Sequence, residues 1–440
     1  MNVLGSASAD LCASGNASEA SSELLYSASG KCDFPPLGNN TKCSSPLSGE
    51  NSALAPAIAG FGSKKNSEKK SLIEKRFLRY LLQSVSRSLH LSSMPDNQDI
   101  LETLNNAHRV CKCSRVRISP EVSIFKSREY QKAFYGGLAI CGSVWDCPVC
   151  SAKIQERRRC EVAHLMEWAY LKGLTVTMVT FTFPHYGWQS CSELLEKQKK
   201  AFTLLRSGKA WDKKKKGIGY IGLVRGLEVN HGLNGWHPHT HELWIHKPLS
   251  RSEQSKFKDM LLDRWLNCCR KYKLIPVGKV AAFRKYSLDL KFNAKDSDYL
   301  NKLDDSSSWG VDREIVKSSV KESSKGRPPF ALLVDSAKGC LTSGKLFLEY
   351  SKAFKGKSQL FWSRGLKALC ELDDFSDKEL AEYQDDDADL IMKLEMFAWS
   401  DVVNNDAICH VLELAESGGY DAVYKFLSSH GSHDIGIDTY

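Results

Sequence analysis

No run of eighteen apolar residues occurs anywhere in the chain, so no segment reads as a membrane span. The first residues offer neither a basic start nor an apolar stretch, and Asp10 comes early, so a secretory signal is not expected. Basic residues are scarce at both ends. Residues 1–63 hold two Lys against five acids, and residues 371–440 hold three Lys against eighteen acids. The formal net charge of +9 for all 440 residues therefore hides +27 on residues 64–370. Charge concentrated in that way is the footprint of a polyanion partner, and it fits a small-molecule metallohydrolase poorly. The run Lys213, Lys214, Lys215 and Lys216 taken alone reads as a solvated loop. Fifteen Cys without a secretory signal argue for reduced thiols and metal binding rather than disulfides.

The middle of the chain carries its most regular pattern, Gly235-Trp236-His237-Pro238-His239-Thr240-His241-Glu242-Leu243-Trp244-Ile245. Pro238 opposes a helical reading. In a strand, alternate residues share a face, so His237, His239 and His241 point the same way, and Leu243 and Ile245 carry that face into a core. Residues 218–230 read as a preceding strand, with a turn at residues 231–235. Folding that hairpin brings Glu228 within a couple of residues of His239 and His241. Two imidazoles and a carboxylate make a nitrogen/oxygen site suited to Mg²⁺ or Mn²⁺, with positions left for substrate oxygens. His237 is either a further nitrogen ligand or a group supporting the ligands.

Upstream stand Cys111, Cys113 and then Cys141-Gly142-Ser143-Val144-Trp145-Asp146-Cys147-Pro148-Val149-Cys150. Cys147 and Cys150 form a C-x-x-C knuckle with Pro148 pre-setting its turn, a spacing that wraps a tetrahedral Zn²⁺. Cys141 joins them, and a fourth thiolate comes from Cys111 or Cys113, with Cys113 the better choice. Cys12, Cys32 and Cys43 lack ligand spacing.

The His-Thr-His motif resembles the His-hydrophobic-His endonucleases, with Thr240 in the middle position. More narrowly, the chain resembles the rolling-circle plasmid replication initiators, and the segment from Cys141 to Ile154 resembles the cysteine segment found upstream of their metal motif. The strand-like residues 174–184 resemble that family's first motif, a central strand beside the metal strand. The likeness spans about residues 108–370. It implies that His239 and His241 are paired ligands with Glu228 as the third. The family's third motif, Tyr-x-x-Lys, matches Tyr299 and Lys302, which share a helix face. The resemblance thus implies that Tyr299 attacks a phosphodiester to give a 5′-phosphotyrosine and a 3′-hydroxyl, with Lys302 lowering the Tyr pKa or holding the phosphate. Asp296 and Asp298 are candidates for activating water. One tyrosine in the motif gives no support to a two-tyrosine mechanism. Tyr286, also among basic residues, is the rival nucleophile.

The expected architecture is α+β: a central antiparallel sheet carrying the metal site, helices on the other face, and a Cys-rich zinc-binding segment. Its expected divisions are a disordered Ser/Gly-rich tail (1–68), a helical and Cys-rich zinc region (69–160), a nicking and joining domain (161–370) and an acidic, partly helical region (371–440). Helices are expected over residues 69–95, 98–109, 151–172, 190–210 and 251–272, and over 379–399 in the acidic end. Arg157, Arg158 and Arg159 are expected on an exposed helix face. Basic residues interleaved with aromatics over residues 346–369 suit single-stranded DNA. The expected partners are origin DNA, single-stranded DNA, and a host helicase with its replication machinery, in a bacterial cytoplasm. A mobilisation relaxase, a single-tyrosine transposase and a non-catalytic zinc-dependent DNA-binding regulator are the alternatives.

Overall fold

The computed structural model describes residues 72–94, 106–294, 326–384 and 386–430. The chain divides into two units, Met1–Phe34 and Pro35–Tyr440, and every described residue belongs to the second. Tyr299, Lys302, Asp296 and Asp298 lie outside the described residues.

The described part is α+β, with two antiparallel sheets and helices. The larger sheet has the strand order β6-β3-β5-β4-β7, built from β3 (Thr175–Phe181), β4 (Gly222–Gly232), β5 (Gly235–His246), β6 (Leu288–Lys291) and β7 (Leu360–Trp362). The His-rich strand is thus central. β4 and β5 form one long hairpin whose register runs from Gly222 opposite Ile245 to Gly232 opposite Gly235. Leu233 and Asn234 form its tip, and Gly235, the residue after them, takes the left-handed φ (79°) that lets the chain enter β5. An added Cβ at Gly235 would meet the Cα of Gly187 at 2.8 Å, so the residues 182–190 loop is seated against this turn.

The two faces of the sheet are packed differently. One carries Leu223, Val229, Trp236 and Trp244 into the main core, under α3 (Cys191–Leu205), α5 (Arg251–Lys271), α7 (Pro329–Ala337) and α8 (Leu341–Phe354). Trp265 and Phe347 in that core are fully buried. On the other face, Val176, Met178, Val224, Leu243 and Ile245 pack on Val162, Leu165, Met166 and Ala169 of α2 (Pro148–Leu171). Helices therefore cover one whole face and also the apolar half of the metal-motif face, rather than only the face away from it. The half bearing the histidines stays outside that apolar cluster.

A second, three-stranded sheet has the order β2-β1-β8, from β1 (Val122–Ser127), β2 (Ala133–Gly136) and β8 (Ala388–Leu394). It is packed by α11 (Met396–Asn404) and α12 (Ile408–His430), with Val122, Ile124, Leu394, Trp399, Val411 and Leu427 as its core. Residues 386–430 of the acidic end therefore fold. Its residues 388–394 are a strand and not a continuation of the short helix α10 (Asp377–Glu382), because they pair with β1. A buried ion pair, Arg76–Glu416 at 2.5 Å, ties α12 to α1 (Leu72–Ser92).

Two other expectations need correction. Residues 218–221 are not strand. The Lys run instead lies on α4 (Lys209–Gly217), and Gly219 turns the chain at φ 60° before β4 begins. Of the helix expected over residues 98–109, residues 98–105 lie outside the described residues; Asn106 is helical and a 3₁₀ turn, Arg109–Cys111, follows. The arginines of α2 do not lie on an exposed helix face. Arg158 is paired with Glu161 and Asp377, Arg159 with Glu156, and Arg157 lies 3.9 Å above the Tyr383 ring.

Candidate functional site: two metal-ligand clusters on one scaffold

The β4–β5 register sets Glu228 directly opposite His239, Asn230 opposite His237, and Gly226 opposite His241. Paired residues share a face, so one carboxylate and three imidazoles lie on the same side of the sheet. Glu228 Oε2 lies 3.2 Å from His239 Nε2 and 3.8 Å from His241 Nε2. The His239 and His241 rings are perpendicular, with centroids 5.2 Å apart. Their ligand atoms and that of Glu228 all fall within 4.8 Å of one another. For bonds of about 2.1 Å, ligand atoms of a small ion stand roughly 3 Å or slightly more apart, which these separations fit.

Neighbouring groups orient both rings. His239 Nδ1 donates to the His237 carbonyl at 3.1 Å, which leaves Nε2 as the lone-pair atom facing Glu228. His241 Nδ1 is 2.9 Å from Thr180 Oγ1 on β3. A hydrogen bond to one ring nitrogen is what fixes the other for a metal. Burial would depress His239, but the Glu228 carboxylate beside it outweighs that and raises its pKa above the ordinary value.

His237 is on the same face yet in different company. Its Nε2 is bonded to Thr182 Oγ1 at 2.6 Å, and its ring stacks on His185 at 4.4 Å and 13°. Burial, reinforced by His239 and His185, pushes its pKa down to about 3. It is a neutral prop beside the cluster; the convergent set is Glu228, His239 and His241. The middle residue, Thr240, faces the opposite side and is buried against the main core. Glu242, two residues past His241, is also turned away. It is wholly buried, paired with Arg206 and accepting from Trp244 Nε1 at 2.8 Å.

The second cluster is Cys113, Cys141, Cys147 and Cys150, all buried. Sulfur separations of 3.5 Å (Cys113–Cys150), 3.6 Å (Cys141–Cys150) and 3.9 Å (Cys113–Cys147) suit a tetrahedral ion with bonds of about 2.3 Å. Cys147 caps α2, its Sγ accepting from Cys150 N at 3.4 Å, with Pro148 at the first helical position. Gln83 Nε2 on α1 donates to Cys147 Sγ at 3.1 Å. Cys111 is elsewhere, its thiol 3.9 Å from the Arg87 carbonyl. Hydrogen bonds from the surrounding thiols hold Cys113 well below the usual thiol range, while burial holds Cys147 well above it. Four crowded sulfurs are what a cation would deprotonate.

Tyr286, the rival nucleophile, ends α6 (Val280–Tyr286) and is 66% exposed. The next residue, Ser287, accepts from Thr182 N at 2.9 Å, at the histidine end of β3. The chain leaves the described part at Ala294, bonded to Val176 O at 2.9 Å and packed on the metal-face cluster. It returns at Gly326, against Gly232 of the hairpin.

Sequence reasoning overlooked Thr180, Thr182 and His185. The two threonines share strand parity with the site and were findable by counting in twos. His185 had no such signal, because its stacking depends on a loop. His90 and His108, each beside the Asp146 carboxylate, form a third group without any local spacing.

A family model described as "Replication protein" matches residues 138–406. A curated relative from Streptomyces lividans, "Protein rep", is 27% identical over 317 residues, 58% of this chain and 68% of its own. A second, "Neomycin resistance protein" from Streptomyces cyanogenus, is 33% identical over 132 residues, 24% of this chain and 30% of its own. No solved structure matches.

Proposed function

The chain belongs to the replication protein family, and from that premise we propose that it initiates rolling-circle replication by nicking and rejoining one DNA strand at an origin. The observation that carries the reading is the pairing of Glu228 with His239, with His241 beside them on one half-open sheet face. The donor set is nitrogen and oxygen, not sulfur, and suits a catalytic Mg²⁺ or Mn²⁺ rather than a structural ion. Such an ion would neutralise charge on the non-bridging oxygens of the scissile phosphate. His239 and His241 serve as ligands in neutral form, oriented through the His237 carbonyl and Thr180.

The Tyr299 oxygen attacks phosphorus in this reading. Its O–P bond forms as the bond to the 3′-oxygen breaks, leaving a 5′-phosphotyrosine and a 3′-hydroxyl that primes synthesis. Lys302 stabilises the phenolate or the phosphate. Attack by a 3′-hydroxyl on the phosphotyrosine reverses the chemistry and rejoins the strand without ATP. The Cys cluster, holding Zn²⁺, ties α1 and the 3₁₀ turn to α2 and thus to the face that carries the site. Origin DNA, single-stranded DNA and a host helicase are the partners this implies, within a bacterial cytoplasm.

The test is incubation with single-stranded DNA from the protein's own replicon and Mn²⁺. The reading expects strand-specific cleavage lost in His239→Ala and in Glu228→Ala. Specific binding without cleavage under any divalent ion would transfer the protein to the non-catalytic regulator reading.

A further inference from the structure

The loop after β3 carries an exposed aromatic surface at the edge of the metal-motif face. Among the described residues Trp188 is the one exposed tryptophan, at 77%. The Tyr186 ring lies nearly parallel to it, at 11° with centroids 6.2 Å apart. Leu233, at the hairpin tip, is fully exposed, and its carbonyl is the nearest neighbour a Cβ on Gly187 would meet, at 4.0 Å. Two large apolar side chains, Trp188 and Leu233, thus stand in water beside the half-buried Tyr186, where nothing in the core requires them.

That patch is built, not slack. Tyr186 N donates to Gln189 Oε1 at 3.0 Å, and Gln189 N donates back to the Tyr186 carbonyl at 3.0 Å. Gln189 is buried, and the backbones of Gly187 and Gly235 are in contact. The same loop sends His185 inward to stack on His237, and His237 stacks on His239 at 5.0 Å. Two stacked sets therefore adjoin in sequence, Trp188–Tyr186 on the outside and His185–His237–His239 leading to a candidate metal ligand.

We propose that Trp188, backed by Tyr186 and flanked by Leu233, is a stacking platform for a base of single-stranded DNA next to the phosphate held at the metal site. The proposal rests on the DNA-nicking reading for the identity of the occupant. An unpaired base offers a flat apolar face that an exposed indole matches, whatever its sequence. A base paired within a duplex does not offer that face, so the surface favours unpaired over paired DNA. Charge supports the same occupant, since this platform lies within the segment carrying +27.

The test uses the full, zinc-loaded chain with no Mg²⁺ or Mn²⁺ added, so that binding is read without cleavage. The probes are fluorescein-labelled 20-nucleotide single strands, one of mixed sequence and a set with single abasic sites, together with the mixed-sequence duplex. Trp188→Ala should weaken the single strand by about 5- to 150-fold, the usual cost of one stacked base. Trp188→Phe should retain most of the affinity, and duplex affinity should stay unchanged in both. One abasic position should weaken wild type but not Trp188→Ala. Mn²⁺ affinity, unaltered in Trp188→Ala, shows that the site beside it is intact. Unchanged single-strand binding in Trp188→Ala, with Mn²⁺-dependent nicking intact in wild type, overturns the platform and leaves the nicking reading standing. Weakened single-strand binding in a protein that never nicks does the reverse.

Discussion

Replacing Thr240 by Val should stabilise the protein without affecting the metal site. Thr240 is the central residue of the His-Thr-His motif and is 1% exposed. It pairs with Phe181 on one side and Leu227 on the other, facing the main core. Its Oγ1 is buried and makes no hydrogen bond among the described residues. A hydroxyl left unsatisfied in a core costs roughly 1–3 kcal/mol relative to water, and Val has the same shape with a methyl in its place. The backbone pairing of β5 is untouched, and Val is a better strand former than most. The gain should thus be about 1–2 kcal/mol, allowing for slight crowding by the methyl group. Urea denaturation in EDTA should show a higher midpoint with an unchanged slope. Mn²⁺ affinity should remain within about twofold, because the side chain lies across the sheet from Glu228. A destabilised Thr240→Val, or one that loses Mn²⁺, would refute the reasoning, since either result requires the hydroxyl to have a partner.

Four further outcomes follow from the same geometry. Thr180→Val removes the hydroxyl beside His241 Nδ1 and should weaken Mn²⁺ binding about 10- to 100-fold with little change in stability, read by calorimetric titration. Cys113→Ser should lower zinc content by atomic absorption while Cys111→Ser leaves it unchanged, because only Cys113 joins the sulfur cluster. Glu242→Ala leaves Arg206 without its buried partner and should cost about 3 kcal/mol in denaturation, the low end for such a pair because Arg206 is partly exposed. His237, held neutral down to about pH 3 against an ordinary value of 6.5, binds fewer protons folded than unfolded in that interval. Its contribution is therefore complete above about pH 6.5 and lost as pH falls toward 3, and His237→Asn should flatten that part of the stability–pH curve.

The site was more legible than the architecture around it, for a physical reason. His237, His239 and His241 lie on one strand, and Glu228 is reached through one tight turn, so a period of two and a local hairpin suffice to bring them together. The C-x-x-C knuckle is likewise local. Thr180 arrives from a strand some sixty residues away, and its pairing with His241 depends on a sheet order that no local pattern encodes. Residues 388–394 were read as helix because their partner, β1, lies more than 250 residues earlier. The covering of the α2 arginines has no local signal, since neither Asp377 nor Tyr383 is near them in sequence. The proposed nucleophile stands apart from all of these, because Tyr299 lies outside the described residues and its proposed role rests on the resemblance to the family motif.

The most direct measurement is peptide mapping of the covalent product formed with Mn²⁺ and single-stranded DNA of the protein's own replicon. The account predicts a nucleotide adduct on Tyr299, absent in Tyr299→Phe and in His239→Ala. An adduct on Tyr286 would contradict the assignment of the nucleophile. Cleavage that leaves no adduct on any tyrosine would contradict the mechanism itself.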